Sequence, residues 1–197
     1  MDSRISALLG KLREIEDELE STLEERRAEL RYRISGGKVA FEKAVVAEHR
    51  RLRTGLLRFL RQSTFGDFVT ALVVYVFAVV LVLLDVFLAL YQLVCFPIWN
   101  IPRVRRADYI TIDRHNLAYL NAVQKMNCIY CGYANGLAAL LREVASRTEQ
   151  YWCPIKHAIR VKGAHARYRH FAEFGDARDF QERLKALREE LRQSQEK

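Results

Sequence analysis

No complete enzyme signature occurs in this sequence: it has no P-loop, no nucleophile elbow and no HExxH pair. Those absences remove the usual forms of nucleotide hydrolysis, serine hydrolysis and zincin chemistry. No nucleic-acid-binding motif accompanies the formal net charge of +8, so the basic excess points elsewhere. The four cysteines occur without a secretory signal and do not read as a disulfide framework. The opening "MDSRISALLGKLREIEDELE" is amphipathic and acidic, unlike a signal peptide or a transit peptide. Internal repeats and low-complexity segments are also missing.

What is present is strongly segregated. Half of the 197 residues are hydrophobic, yet the mean hydropathy is slightly negative. Residues 1–34 carry seven Lys/Arg against nine Asp/Glu, whereas residues 35–66 carry seven against two. Residues 103–127 and 158–175 each have a net charge of +3. The basic excess therefore flanks an apolar stretch. Flanks of this kind suit an anionic membrane surface, where each Lys or Arg contributes about 1 kcal/mol.

That stretch is "FVTALVVYVFAVVLVLLDVFLALYQLVCF", residues 68–96, with Asp67 placed to cap a helix and Pro97 to end it. Neither Gly nor Pro interrupts it, so one hydrophobic helix is expected, and Phe68–Leu84 alone approaches the length of a membrane span. Asp85 lies inside the run and must be neutral, paired, or near the interface. Five arginines precede the helix (Arg50, Arg51, Arg53, Arg58, Arg61) and four follow it (Arg103, Arg105, Arg106, Arg114), which gives no positive-inside bias. Trp99 and the prolines of "FPIWNIP" suit an interfacial exit.

Before the run, Leu8, Leu12, Ile15, Leu19, Leu23, Leu30 and Ile34 recur at steps near a heptad. "SGG" at 35–37 breaks this helix, and Val45, Leu52, Leu56, Phe59 and Leu60 mark a second one over 38–62. Residues 1–66 are thus expected to form an N-terminal helical hairpin resembling a coiled coil. Residues 67–97 form the hydrophobic transmembrane or membrane-embedded helix, and residues 98–175 a Cys/His domain with helices at 114–131 and 137–147. Residues 176–197 form a C-terminal amphipathic helix with Phe180, Leu184, Leu187 and Leu191 in heptad spacing. The fold class expected is mainly α.

"NCIYCGYANGLAALLREVASRTEQYWCPIKH", residues 127–157, carries the candidate chemistry. Cys128 and Cys131 form a C-x2-C pair, and Cys153 and His157 form a C-x3-H pair. A tetrahedral metal takes two such short-spaced pairs. Cys153 would sit at a helix N-cap, with Pro154 at the first helical position and His157 on the same side. A continuous helix from Cys131 to Arg147 would hold its ends about 24 Å apart, so closure predicts a break at "YANG". A Cys3His structural zinc is the first assignment and a [2Fe–2S] cluster the alternative. A dithiol redox pair and simple buried thiols complete the set. Gly132 occupies the place of the histidine that covalent haem attachment requires.

The C-x3-H half is similar to that of the NEET iron–sulfur proteins, but those pair it with C-x-C and a much shorter spacer. Together with "DYITIDRHNLAYLN", the block over about residues 97–160 resembles a set of uncharacterised bacterial membrane-anchored proteins. The resemblance implies a bacterial inner-membrane location and brings no activity with it. Asp108, Asp113, His115 and Glu149 are candidates for acid–base work, against surface pairing with Arg106, Arg114 and Arg147. The basic "RVKGAHARYRHF" is a candidate for headgroups or nucleic acid, against a solvated loop. The function expected is a membrane-anchored scaffold, assembling with itself or a helical protein partner, with zinc as a fold staple. The alternatives are a membrane redox protein and, third, an enzyme acting on lipid or a membrane partner. No catalytic residue is assigned.

Overall fold

A computed structural model describes residues 3–35 and 38–193. Among them are six α-helices and one two-stranded sheet: α1 (Ser3–Glu29), β1 (Tyr32–Ser35), β2 (Lys38–Phe41), α2 (Lys43–Arg51), α3 (Leu56–Gln62), α4 (Phe65–Trp99), α5 (Ala122–Trp152) and α6 (Phe180–Gln193). The mainly helical expectation holds. The chain divides into two compact units, Met1–Leu60 with Asp113–Met126, and Arg61–Ile112 with Asn127–Lys197.

In the first unit, the expected helical hairpin is replaced by a β-hairpin and short helices. Arg31, at φ 51°, turns the chain out of α1, and β1 then pairs antiparallel with β2, Tyr32 opposite Phe41 and Ser35 opposite Lys38. The reason lies in the local pattern. Tyr32, Ile34, Val39 and Phe41 alternate with polar or small residues, and β-branched and aromatic side chains favour a pleated surface. The glycines of "SGG" lie outside the described residues. α2 ends at Leu52, whose amide bonds to the Glu48 carbonyl, so no continuous helix covers 38–62. The apolar seam of α1 has no cover within its unit: Ile15 is 61%, Leu19 57% and Leu23 42% exposed. Leu8 and Leu12 of that seam carry side chains outside the described set.

A predicted helix at 114–131 is also shifted. Residues 114–116 make only a short 3-10 turn, and α5 starts at Ala122 because Asn121 and Gln124 cap it reciprocally. The Gln124 amide donates to Asn121 Oδ1 and the Asn121 amide donates to Gln124 Oε1, both at 3.0 Å.

The second unit is built on α4 and α5. Thr64, not Asp67, is the N-cap of α4, and Asp67 returns the bond to the Thr64 amide in a capping box. Pro97 does not end α4; it sits in the last turn, and the stop comes from Asn100 in the left-handed conformation, φ 54°. α5 runs beside α4 in the same direction. Tyr75 donates to Asn127, Tyr133 to Asp85, Tyr91 pairs with Thr148, and Trp99 stacks on Tyr151 with ring centroids 5.5 Å apart.

Two parallel helices need a return path, and residues 101–112 supply part of it as irregular chain with one 3-10 turn at Arg106–Asp108, held against both. Arg147 Nη1 donates to the Pro102 carbonyl at 2.8 Å, and the Val104 amide donates to Gln92 Oε1 at 2.7 Å. Ile101, Val104, Leu137, Leu140 and Val144 are buried together with Phe96. α6 closes the unit, burying Leu184, Leu187 and Leu191. Gln150 Nε2 donates to the Leu187 carbonyl, and the Arg188 guanidinium lies 4.6 Å from the Tyr151 ring centroid.

Gly136 is the point where the return chain touches α5. A Cβ there would lie 2.7 Å from the Tyr109 carbonyl oxygen and 2.8 Å from Ile110 Cα, both backbone atoms that cannot rotate away. Gly136→Ala is therefore expected to lower the thermal midpoint in detergent, with overpacking of about 1–3 kcal/mol outweighing the roughly 1 kcal/mol that alanine contributes in a helix. Gly10→Ala in α1, where a Cβ meets nothing within 4 Å, should raise it. An equal response at the two positions would refute the close-approach account.

Candidate functional site

α5 passes through "YANG" without a break, and this decides the fate of the two Cys/His pairs. Cys128 and Cys131 lie in its first half, one turn apart. Cys153 follows its last residue, its amide bonded to the Glu149 carbonyl at 2.8 Å. At helical rise, Cys131 and Cys153 are about 33 Å apart, several times the span of one tetrahedral site. The structure does not bring Cys128, Cys131, Cys153 and His157 together. Among the described residues no group of three or more His, Cys, Asp or Glu side chains gathers as a metal site. All four cysteines, Cys95 included, are free thiols, with Cys131 and Cys153 exposed.

"CPIKH" is not a helix start but the exit from one. Pro154 lacks the amide that would continue the ladder, and the chain leaves extended, with Ile155 in a parallel bridge to Ala172. The Lys156 amide donates to the Ala172 carbonyl and the Ala172 amide to the Pro154 carbonyl. His157 is exposed on the chain that follows. Its amide donates to the Tyr168 hydroxyl at 2.6 Å, and its ring stacks on Tyr168.

What the block assembles is an ion-pair lattice between α5 and the basic loop. Glu143 receives Arg147 at 2.8 Å and Arg167 at 2.7 Å. Arg167 also reaches Gln150 Oε1, and Arg142 reaches the Gly163 carbonyl. Burial pushes the Glu143 carboxyl up, and the hydrogen bonds from Arg167 and Arg147 outweigh it, so its net shift is downward from the usual 4.5. His165 Nε2 lies 2.8 Å from Glu149 while its Nδ1 is buried without a partner. Glu149 therefore pairs with His165 and not, as the spacing suggested, with Arg147. Arg167 is spent inward, and Arg160, Lys162 and Arg169 remain on the exposed surface of the loop.

Asp85 is resolved by pairing. Arg106 on the return chain donates to it from Nε at 3.1 Å and Nη2 at 2.8 Å, and the Tyr133 hydroxyl adds a third bond at 2.9 Å. Three elements thus meet on one carboxylate. Asp108 is only loosely paired with Arg105, at 3.9 Å. Asp113 has no side-chain bond even though it stands at an N-cap position.

No family model, no curated protein and no solved structure matches this chain.

Two outcomes are expected. Cys131 and Cys153 should react with a maleimide at rates independent of one another, unchanged by chelator or by one equivalent of zinc, with Cys128 slower. Protection of both by zinc would restore the shared site. For Glu143, the lowered carboxyl implies stability that is complete above about pH 4.5 and lost as pH falls through its folded value. Glu143→Gln should lower the thermal midpoint at neutral pH and flatten its decline between pH 4.5 and more acid values; an unchanged acid limb would remove Glu143 from the lattice.

Proposed function

We propose that this chain is a membrane-anchored scaffold, held to the bilayer by α4 and assembling through α1. The observation that carries the reading is the surface of α4. It is long and apolar enough to cross a membrane, and only 11% of its most apolar 18-residue window is buried inside the protein. Val73 is 65%, Val76 60%, Val79 60% and Phe87 69% exposed. A helix serving as a soluble core would be wrapped; water around this many valines and leucines opposes everything the hydrophobic effect rewards. Phe65–Leu84 measures about 30 Å, the thickness of the hydrocarbon layer. The polar side chains on this helix are also paired, Tyr75 with Asn127 and Asp85 with Arg106, as an apolar solvent requires. The likeness of the Cys-bearing block to bacterial membrane-anchored proteins favours the inner membrane.

Assembly rests on the α1 seam. A helix of 27 residues with apolar residues at coiled-coil steps and no partner in its own unit is stable when a second copy covers the seam. The ion-pair lattice on Glu143 ties the basic loop to α5.

One experiment addresses both halves. Full-length protein should sediment with membranes, resist alkaline carbonate, and elute in nonionic detergent at the mass of a multimer. Leu19→Asp with Leu23→Asp should give monomers that still sediment, since burying two charges in a seam costs several kcal/mol. Wild-type protein in the supernatant would overturn the anchor, and an unchanged multimer mass in the double variant would overturn the seam.

A further inference from the structure

The first unit contains a cavity of about 280 Å³ that the anchor does not use and that meets the α1 repeat only at Leu30. Its wall is a run of four rings contributed by the hairpin, α2 and the 113–126 segment. Tyr32 meets Phe41 at 5.4 Å between centroids, Phe41 meets His49 at 5.5 Å, and His49 meets Tyr119 at 5.2 Å. The planes turn steeply from ring to ring, 42°, 68° and 89°.

Two polar groups line this apolar hollow without partners. The half-buried Asp113 carboxylate makes no side-chain bond at its N-cap position. His49 Nδ1 is buried with nothing to bond. A carboxylate oxygen accepts hydrogen bonds, and the buried His49 ring nitrogen is left to a partner from outside the protein. Ring faces carry negative charge and attract cations. A carboxylate set beside aromatic rings suits a positively charged donor on an apolar body. Arg114 also lines the cavity and is exposed to solvent, which screens its charge.

We infer that this pocket binds a small organic ammonium ion with an apolar or aromatic body, its ammonium group bonded to Asp113 and its body held among Phe41, His49 and Tyr119. The source is either a free amine or the amino headgroup of a lipid; the chemistry recognised is the same.

The test uses the full chain in nonionic detergent and three probes of matched shape: 2-phenylethylamine, 2-phenylethanol and 3-phenylpropionate. Calorimetry should give saturable one-to-one binding of the amine, binding of the alcohol weaker by about tenfold, the scale of a charge-assisted hydrogen bond, and none of the carboxylate. Asp113→Asn should cost the amine about the same factor and leave the alcohol unchanged. Tyr119→Leu should weaken the amine about two- to fivefold, and Arg114→Gln should leave it unchanged or tighten it. Phosphatidylethanolamine in mixed micelles competing with the amine would name a lipid source; competition by free ethanolamine alone would name a soluble one. Equal binding of amine and alcohol would reduce the pocket to an apolar hollow and overturn the inference. Preference for the carboxylate, loss of amine binding in Arg114→Gln, or no binding of any probe would overturn it as well. The probe series on the wild-type chain decides even if a variant does not fold.

Discussion

Irregular backbone laid between helices has no continuous ladder to satisfy its amides and carbonyls, and residues 101–112, regular only in the 3-10 turn Arg106–Asp108, impose that constraint on everything around them. The chain needs this segment because α4 and α5 run parallel, which no short loop can connect. Each polar group it buries must find a partner: the Ile101 amide donates to the Phe96 carbonyl and the Ile110 amide to the Arg106 carbonyl, and others take side chains. Gln92 is a buried polar residue in an apolar helix because it takes the Val104 amide, and Arg147 is held inward because it takes the Pro102 carbonyl. Asp85 tolerates its apolar neighbours because Arg106 arrives on the same strand of chain. Gly136 is small because the strand's backbone passes over it.

The same economy of partners organises the C-terminal part of the unit. Glu143 is the acceptor for two arginines, one from its own helix and one from the loop, and with Gln150 and Arg188 it ties loop and α6 to α5. A lattice of charge-assisted bonds of this kind gives a fixed geometry to a segment with little apolar mass of its own. Outside the lattice, Asp176 bridges Arg183 and Arg178, which hold its carboxyl down to about 2, so the turn into α6 stays ionised through ordinary conditions.

The Cys/His block illustrates how local competence differs from assembly. C-x2-C and C-x3-H spacing were both legible, and each is sterically able to hold an ion. Whether they meet depends on the path between them, and that path turned on Asn135-Gly136. A glycine in a helix pattern reads as a break or as a close approach with the same letters. Here Asn135 donates back to the Cys131 carbonyl at 2.9 Å and Gly136 receives the return chain, so the helix continues. The hairpin was missed for a related reason: "YRIS" and "KVAF" alternate too briefly to compete with the longer helical steps around them, although Gly-Gly between alternating residues is a hairpin signal. The Asp113 pocket left no sequence signal at all beyond an unassigned acid.

By itself the sequence determined the helical class, the existence and near-limits of α4, the exposed repeat in α1 and the amphipathic face of α6. Those are one-dimensional properties, set by the spacing of apolar side chains and by the scarcity of breakers. Only the tertiary structure decided which side chain answers which: that α5 runs unbroken, that α6 packs on its own chain instead of seeking a coiled-coil partner, that Asp85 belongs to Arg106 and Glu149 to His165. Pairing of that kind depends on the direction in which elements run past one another. Direction is fixed by burial across the whole unit, and no window of sequence contains it.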